Sequence, residues 1–237
     1  LHEPQSKPPV IKRKGNAQVF KEIRCLHDQY RHADSPKTEM ASLLASIMKH
    51  RNEGRYAEAD FLYSRESWDY ITEQYRERCT DPSFVDYFWT VRIMHSPLWK
   101  LMALTESFIP VKVFHTISTG YAGFLGALMK QRTGKPLILS EHGIYTKERK
   151  IDLFQAEWIR DNRGTLTKDS SEVAYFRHLW IRFFEALGRD CYHHADRIIA
   201  LYETNRLRQI KDGAPAERTE NIPNGINFPH LAKVREQ

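Results

Sequence analysis

Apolar positions recur at helical spacing through residues 16–105 and at strand spacing after residue 110, so the chain changes character once along its length. In the first stretch the period of about 3.6 residues predicts helices near 17–32, 37–52, 65–79 and 83–105. The last begins with Asp81-Pro82, a pair suited to the N-cap and first helical position. It then carries Phe84, Tyr87, Phe88, Trp89, Val91, Ile93, Met94, Leu98, Trp99 and Leu101. Apolar residues on nearly every face predict a buried helix, and Pro97 is expected to kink or divide it.

After Pro110 short apolar runs near 111–116, 136–141, 196–201 and 219–222 predict strands. They alternate with helical segments, the longest over about 171–192, where Val173, Phe176, Leu179, Trp180, Phe183, Phe184, Leu187 and Cys191 form one face. Strands alternating with helices predict an α/β fold with a parallel sheet. The change near Pro110 divides the chain into a helical part, residues 1–109, and an α/β part, residues 110–237. The helical part reads as an insertion into a sheet whose first strands precede Leu1. Up to Gly15 the chain, with Lys12, Arg13 and Lys14, reads as an extended lead-in.

Composition adds exclusions. With 41% hydrophobic and 28% charged residues in 237 positions, the chain is of globular type, and no apolar run approaches the roughly 18 residues of a membrane span. The surplus of 36 basic over 30 acidic residues, a net +6, favours anionic ligands only weakly. No basic stripe interleaved with aromatics points to nucleic acid. Cys25, Cys79 and Cys191 are far apart and form no CxxC pair, which suits reduced thiols in the cytoplasm. The chain does not open with Met, and its first residues hold no apolar signal core.

Candidate chemistry gathers in Val111–Tyr145, which reads as strand, glycine-bearing turn, helix and strand. In open parallel sheets ligands bind outside the carboxyl ends of the strands. There this sequence sets His115, Ser118, Thr119, Gly120, Glu141, His142 and Gly143. Gly120 suits either the approach of a diphosphate to a helix N-terminus or close packing, while Gly123 and Gly126 suit packing. Ser140-Glu141-His142-Gly143 ends a strand with an acid and an imidazole. A histidine there can polarise or protonate an oxygen near neutral pH, and a glutamate can hold its tautomer or bind hydroxyls. Ser140 lacks the G-x-S-x-G elbow of a hydrolase. Cys191, His193 and His194 lack a fourth ligand at metal-site spacing, so no metal is expected. Lys147 and Arg149 follow the turn directly, as anion contacts or as part of a solvated helix face.

Ala195–Asn227, ADRIIALYETNRLRQIKDGAPAERTENIPNGIN, resembles the retaining glycosyltransferases of family four, in which strand, helix, glycine, strand and an I-P-N-G-I turn lead toward a second domain. The blocks STGYAGFLGALMKQRTGKPLILSEHGIYTKERKIDLFQAEWIRD and RHLWIRFFEALGRDCYHHADRI, with SFVDYFW and MHSPLWKL upstream, are similar to the PelF-like members that serve exopolysaccharide synthesis. The resemblance implies the GT-B architecture, with this chain as a partial Rossmann-like N-terminal, acceptor-side domain carrying a large helical insertion. It implies metal-independent, retaining transfer from a nucleotide sugar, UDP-glucose or a UDP-N-acetylhexosamine, to a growing polysaccharide. His142 would contact the donor sugar and diphosphate, with Glu141, Gly143, His115 and Ser118–Gly120 around it and Lys147 and Arg149 as anion or acceptor contacts. No separate cofactor is implied. The partner implied is an inner-membrane polysaccharide synthase complex, approached from the cytoplasm. The C-terminal donor-binding domain is expected beyond Gln237, which would leave this stretch inactive alone. The rival reading is a noncatalytic scaffold or binding subunit of such a synthase.

Overall fold

A computed structural model describes residues 13–31, 37–164 and 174–225. They form a mixed α/β chain in two compact units, one drawn from Leu1–Leu104 and Gln155–Phe183, the other from Thr105–Phe154 and Phe184–Gln237.

The first unit is helical. Asn16 caps α1 (Ala17–Arg31), its Oδ1 accepting from the backbone N–H groups of Gln18 and Val19 at 3.1 and 3.3 Å. The cap satisfies donors that a helix N-terminus otherwise leaves open. Val19, Phe20, Ile23 and Leu26 bury one face. Next come α2 (Lys37–Asn52), the short α3 (Glu58–Tyr63), α4 (Arg65–Arg78) and α5 (Phe84–Leu104). The sequence pattern does not show α3, because six residues are too few to display a helical period. Its start is set by Asp60, whose carboxylate accepts from the N–H of Ala57 at 2.8 Å. Ser64 then caps α4, accepting from Ser67 at 3.1 Å. Edge-on and tilted rings fill the centre, Phe20 against Tyr56 at 5.9 Å and Tyr56 against Trp99 at 5.1 Å.

Three expectations for α5 are revised. The helix begins at Phe84, with Ser83 as its cap through a 3.3 Å bond from Asp86 N–H, rather than at Asp81-Pro82. Asp81 is buried instead, accepting from Ser83 N–H and from both the backbone and side-chain amides of Asn162. The helix also continues through Pro97 as one element, so the proline does not divide it. Proline frees the carbonyl four residues earlier, here that of Ile93, and Ile93 is exposed, so water can satisfy it. Nor is the helix buried all round, since Val85, Trp89 and Ile93, spaced by four, line an exposed face.

The second unit holds the sheet. Strands β1 (Phe114–Thr116), β2 (Leu137–Glu141), β3 (Arg197–Ala200) and β4 (Thr219–Asn221) are all parallel and lie in the order 1-2-3-4. Parallel neighbours need crossovers, and helices make them. They are α6 (Gly120–Thr133), α7 (Tyr145–Gln155) with the later part of α8 (Tyr175–His194), and α9 (Glu203–Lys211). The arrangement is a partial Rossmann-like sheet, as the alternation of strand and helix predicts.

Leu137, Leu139, Cys191, Tyr192, Ala195, Ile198 and Ala214 make the core of this unit, with Phe114 packed against them. Its lower edge is tied by Asp196, which accepts from Leu137 N–H at 2.8 Å and from Lys130 Nζ at 2.6 Å. Those donors hold the Asp196 carboxyl below its usual range even against the cost of burial. Gly123 and Gly126 let α6 lie close: a β-carbon on Gly123 would sit 2.6 Å from Cys191 Sγ, and one on Gly126 would sit 2.8 Å from Leu137 Cδ1.

A Gly→Ala change on an open helix face gains roughly 1 kcal/mol. Gly123→Ala instead lowers stability by about 1–3 kcal/mol, because the wholly buried Cys191 has no room to retreat. Denaturant unfolding of the two chains checks the sign.

Candidate functional site at the strand tips

The carboxyl ends of β1 and β2 bring the residues singled out above to one edge of the sheet. In β2 side chains alternate between buried and half-buried, Leu137, Leu139 and Glu141 facing in and Ile138 and Ser140 facing out. Glu141 is therefore the last inward residue, at 1% exposure, and the chain turns immediately after it.

The carboxylate of Glu141 is met by four donors from four elements. Its Oε1 accepts from Thr119 Oγ at the head of α6 (3.2 Å); its Oε2 accepts from Tyr192 OH on α8 (2.7 Å) and Gln209 Nε2 on α9 (3.0 Å). The backbone N–H of Tyr145, opening α7, supplies the fourth. Burial pushes the carboxyl above its ordinary value, while Tyr192, Gln209, Thr119 and Tyr145 pull in the other direction. The same contact, together with burial, drives the Tyr192 hydroxyl well above its usual pKa. Glu141 thus faces the interior and holds the turn, whereas the sequence reading placed it beside a ligand.

His142 is exposed on that turn, and its carbonyl accepts from Asn205 Nδ2 of α9 at 3.4 Å. Gly143 follows, covered by the Glu148 carboxylate: a β-carbon there would lie 2.1 Å from Glu148 Oε1. On the neighbouring tip His115 is exposed, and its Nε2 lies 3.0 Å from Ser140 Oγ. A serine and an imidazole at that distance make up the nucleophile and base of a triad. Among the described residues, however, no carboxylate holds the other nitrogen of His115, and a triad needs that orienting group.

The turn into α6 is shaped by Gly120 at φ +66°, a left-handed conformation that glycine adopts without strain. A β-carbon there would also meet the Tyr145 ring at 2.4 Å. Thr119, the N-cap position, spends its hydroxyl on Glu141, and Ser118 Oγ donates to the carbonyl of Thr119. The Thr119 side chain makes no cap hydrogen bond to α6.

Lys147 is exposed on the first turn of α7. The Arg149 guanidinium lies over the rings of Tyr145 and Phe184 at 5.2 and 5.4 Å, donates to Tyr145 OH at 3.1 Å, and pairs with Asp152 at 3.4 Å. Its orientation is set by these contacts, with the side chain about one-third exposed. His115, Ser118, Thr119, Gly120, Glu141, His142 and Gly143 therefore share one edge, with Lys147 and Arg149 on the helix that leaves it.

Tyr192, Gln209 and Asn205 went unread in the sequence. Tyr192 sits beside an apolar stripe in which only its ring counts as a signal, and Gln209 and Asn205 lie on a polar helix face where no spacing marks them. Beside Tyr192 in the last turn of α8, Cys191 is buried against Gly123 and His194 Nδ1 lies 2.9 Å from the carbonyl of Asp190. Among the described residues no group of three or more His, Cys, Asp or Glu side chains could hold a metal ion. No helix among them is long and apolar enough to cross a membrane.

Removing the Glu141 carboxylate strands four buried donors, so Glu141→Ala costs roughly 3 kcal/mol of stability. Glu141→Gln retains the volume but sets an amide N–H₂ against donors. Since the folded pKa of Glu141 lies above its ordinary 4.5, the unfolded chain releases this proton first as pH rises. The wild type therefore loses stability relative to Glu141→Gln as pH climbs from 4.5 through the folded pKa, and the difference is constant above it. Denaturant midpoints at a series of pH values check both statements.

A family model described as a domain of unknown function, DUF3492, matches residues 1–217. No curated protein matches the chain, and no solved structure matches it.

Proposed function

Since the chain belongs to the DUF3492 family, a domain found in glycosyltransferase-like proteins, we propose that it is the acceptor-side part of a retaining, PelF-like glycosyltransferase of family four. The observation that carries the reading is the exposed imidazole of His142 on a turn anchored from beneath by Glu141. An imidazole held there can hydrogen-bond a sugar hydroxyl or a diphosphate oxygen without moving the backbone, and a fixed donor stabilises developing charge without reorganisation.

The surroundings suit an anionic, hydroxyl-rich ligand. The N-terminus of α6 presents the positive end of a helix dipole at this edge. His115 stands at the adjoining tip, and Lys147 supplies an exposed cation at the start of α7. The donor on this reading is UDP-glucose or a UDP-N-acetylhexosamine and the acceptor a growing exopolysaccharide. Donor contacts come also from a second α/β domain, and the membrane synthase is the partner that receives the product. His142 contacts the donor sugar, and the leaving diphosphate accepts the acceptor proton on the same face of the ring, so no metal is required.

The test uses the complete protein with UDP-glucose and UDP-N-acetylhexosamines, measuring UDP release in the presence of polysaccharide acceptor. His142→Ala lowers turnover by at least about a hundredfold, the range of a positioned acid–base or electrostatic group, with an unchanged circular dichroism spectrum. Near-normal turnover in that variant removes His142 from the reaction, and a wild type that releases UDP from none of the donors overturns the reading as a whole.

A further inference from the structure

The helical unit carries an exposed face that the proposed reaction does not use. Val85, Trp89 and Ile93 run along α5 at steps of four, and the exposed Lys100 continues the same line seven residues on. Beside this line, rings from the end of α3 and from α4 reach the surface. Tyr63 is 58% exposed, Trp68 50% and Trp89 55%, so three large rings stay half or more in solvent.

The rings form one patch. Trp68 packs edge-on to Phe84 at 5.7 Å and tilted on Phe88 at 6.0 Å, and Phe88 meets Trp89 at 5.6 Å. The Arg92 guanidinium joins them, 4.8 Å from the centre of the Phe88 ring, 5.7 Å from that of Tyr63 and 6.0 Å from that of Trp89. Single apolar side chains are ordinary on a surface, whereas a contiguous patch of roughly a few hundred Å² marks a contact site.

Charge narrows the kind of contact. Arg92 donates to the carbonyl of Leu62 at 2.6 Å, a neutral acceptor, and among the described residues no carboxylate pairs with it or with Lys100. The acids nearby are engaged elsewhere. Asp69 pairs with Arg65 at 3.1 Å, Asp86 accepts from Asn162 at 2.9 Å, and Glu73 pairs with Arg24 on α1. The face therefore combines aromatic and aliphatic side chains with uncompensated positive charge.

An anionic bilayer surface complements that combination. Trp and Tyr rings settle at the level of lipid headgroups, aliphatic side chains reach the acyl boundary, and Lys and Arg meet lipid phosphates. A folded partner would have to bring both acids and a matching shape, while a leaflet offers phosphate and hydrocarbon to any helix laid along it. At 1.5 Å per residue the line from Val85 to Lys100 runs about 22 Å, so the helix can lie flat on a membrane without crossing it.

We propose that the exposed face of α5, with Tyr63 and Trp68 beside it, docks the helical unit on an anionic lipid surface. Val85, Trp89 and Ile93 enter the interface, and Arg92 and Lys100 bind lipid phosphates. The docking is independent of the glycosyl-transfer reading, because none of these residues belongs to the strand-tip edge.

Co-sedimentation of the 237-residue chain with vesicles of mixed phosphatidylglycerol and phosphatidylcholine, against phosphatidylcholine alone, tests this. A cation near an anionic surface strengthens binding roughly fivefold, so the chain partitions at least about tenfold more onto the mixed vesicles. Lys100→Gln lowers that partitioning about fivefold. A chain carrying Trp89→Ser and Ile93→Ser lowers it at least about tenfold with an unchanged circular dichroism spectrum, since both side chains are exposed. Lys21→Gln, an exposed lysine of α1 outside the patch, changes it by less than about twofold. No binding to the mixed vesicles, equal losses for Lys21→Gln and Lys100→Gln, or full binding by the double variant overturns the proposal. A wild type that ignores vesicles and sediments as a dimer, with the double variant a monomer, also overturns it and assigns the face to a second copy of the chain. Should the double variant lose its helical spectrum, the two lysine variants decide alone.

Discussion

A carboxylate sealed inside a protein must find its hydrogen bonds there, and Glu141 finds them on four separate elements. The head of α6, the first residue of α7, the body of α8 and the body of α9 each send one donor to it. Displacing any one of these elements leaves a buried charge less well satisfied, a penalty that grows in a low-dielectric interior. The upper edge of the sheet is therefore fixed by one group. Because alternation along β2 sends Glu141 inward, the turn that follows is free to carry His142 outward.

The lower edge of the same unit follows the same logic with different chemistry. Asp196 joins the starts of β2 and β3 by accepting from Leu137 N–H, and Lys130 of α6 neutralises it. Arg218 closes the end of α8 by donating to the carbonyls of His193 and Ala195. Between these two edges the core is apolar, and its glycines bring α6 close enough for Cys191 and Leu137 to fill the space. In the helical unit Asp81 plays a comparable part, drawing Asn162 onto the start of α5. In each place a short acid gathers backbone and side-chain donors that lie far apart in sequence.

Both kinds of element, and the polar edge at the strand tips, were legible in the residues. Helical periods gave α1, α2, α4 and α5 to within a few positions, and the four apolar runs after Pro110 gave four parallel strands. Alternation is a local property, so β2 could be read from Leu137–Glu141 alone. Placing His115, Ser118, Thr119, Gly120, Glu141, His142 and Gly143 together needed only the rule that parallel strands end on one side. The six-residue α3, the exposed face of α5 and the cap at Ser83 were not legible. A single turn has too few residues to show a period, and an apolar face looks the same in sequence whether a neighbour covers it or not.

By itself, then, the sequence determined which stretches are helix or strand, that the sheet is parallel, and that its polar ends cluster, because each depends on spacing between near neighbours. Tertiary structure decided what the clustered groups do. Glu141 and His142 are adjacent in the chain and alike in polarity, yet one is a buried anchor and the other an exposed imidazole. The difference is made by Thr119, Tyr192 and Gln209, at separations of 22, 51 and 68 residues. Hydrogen bonds between distant side chains leave no period in a sequence, and they are what assign each polar residue its role.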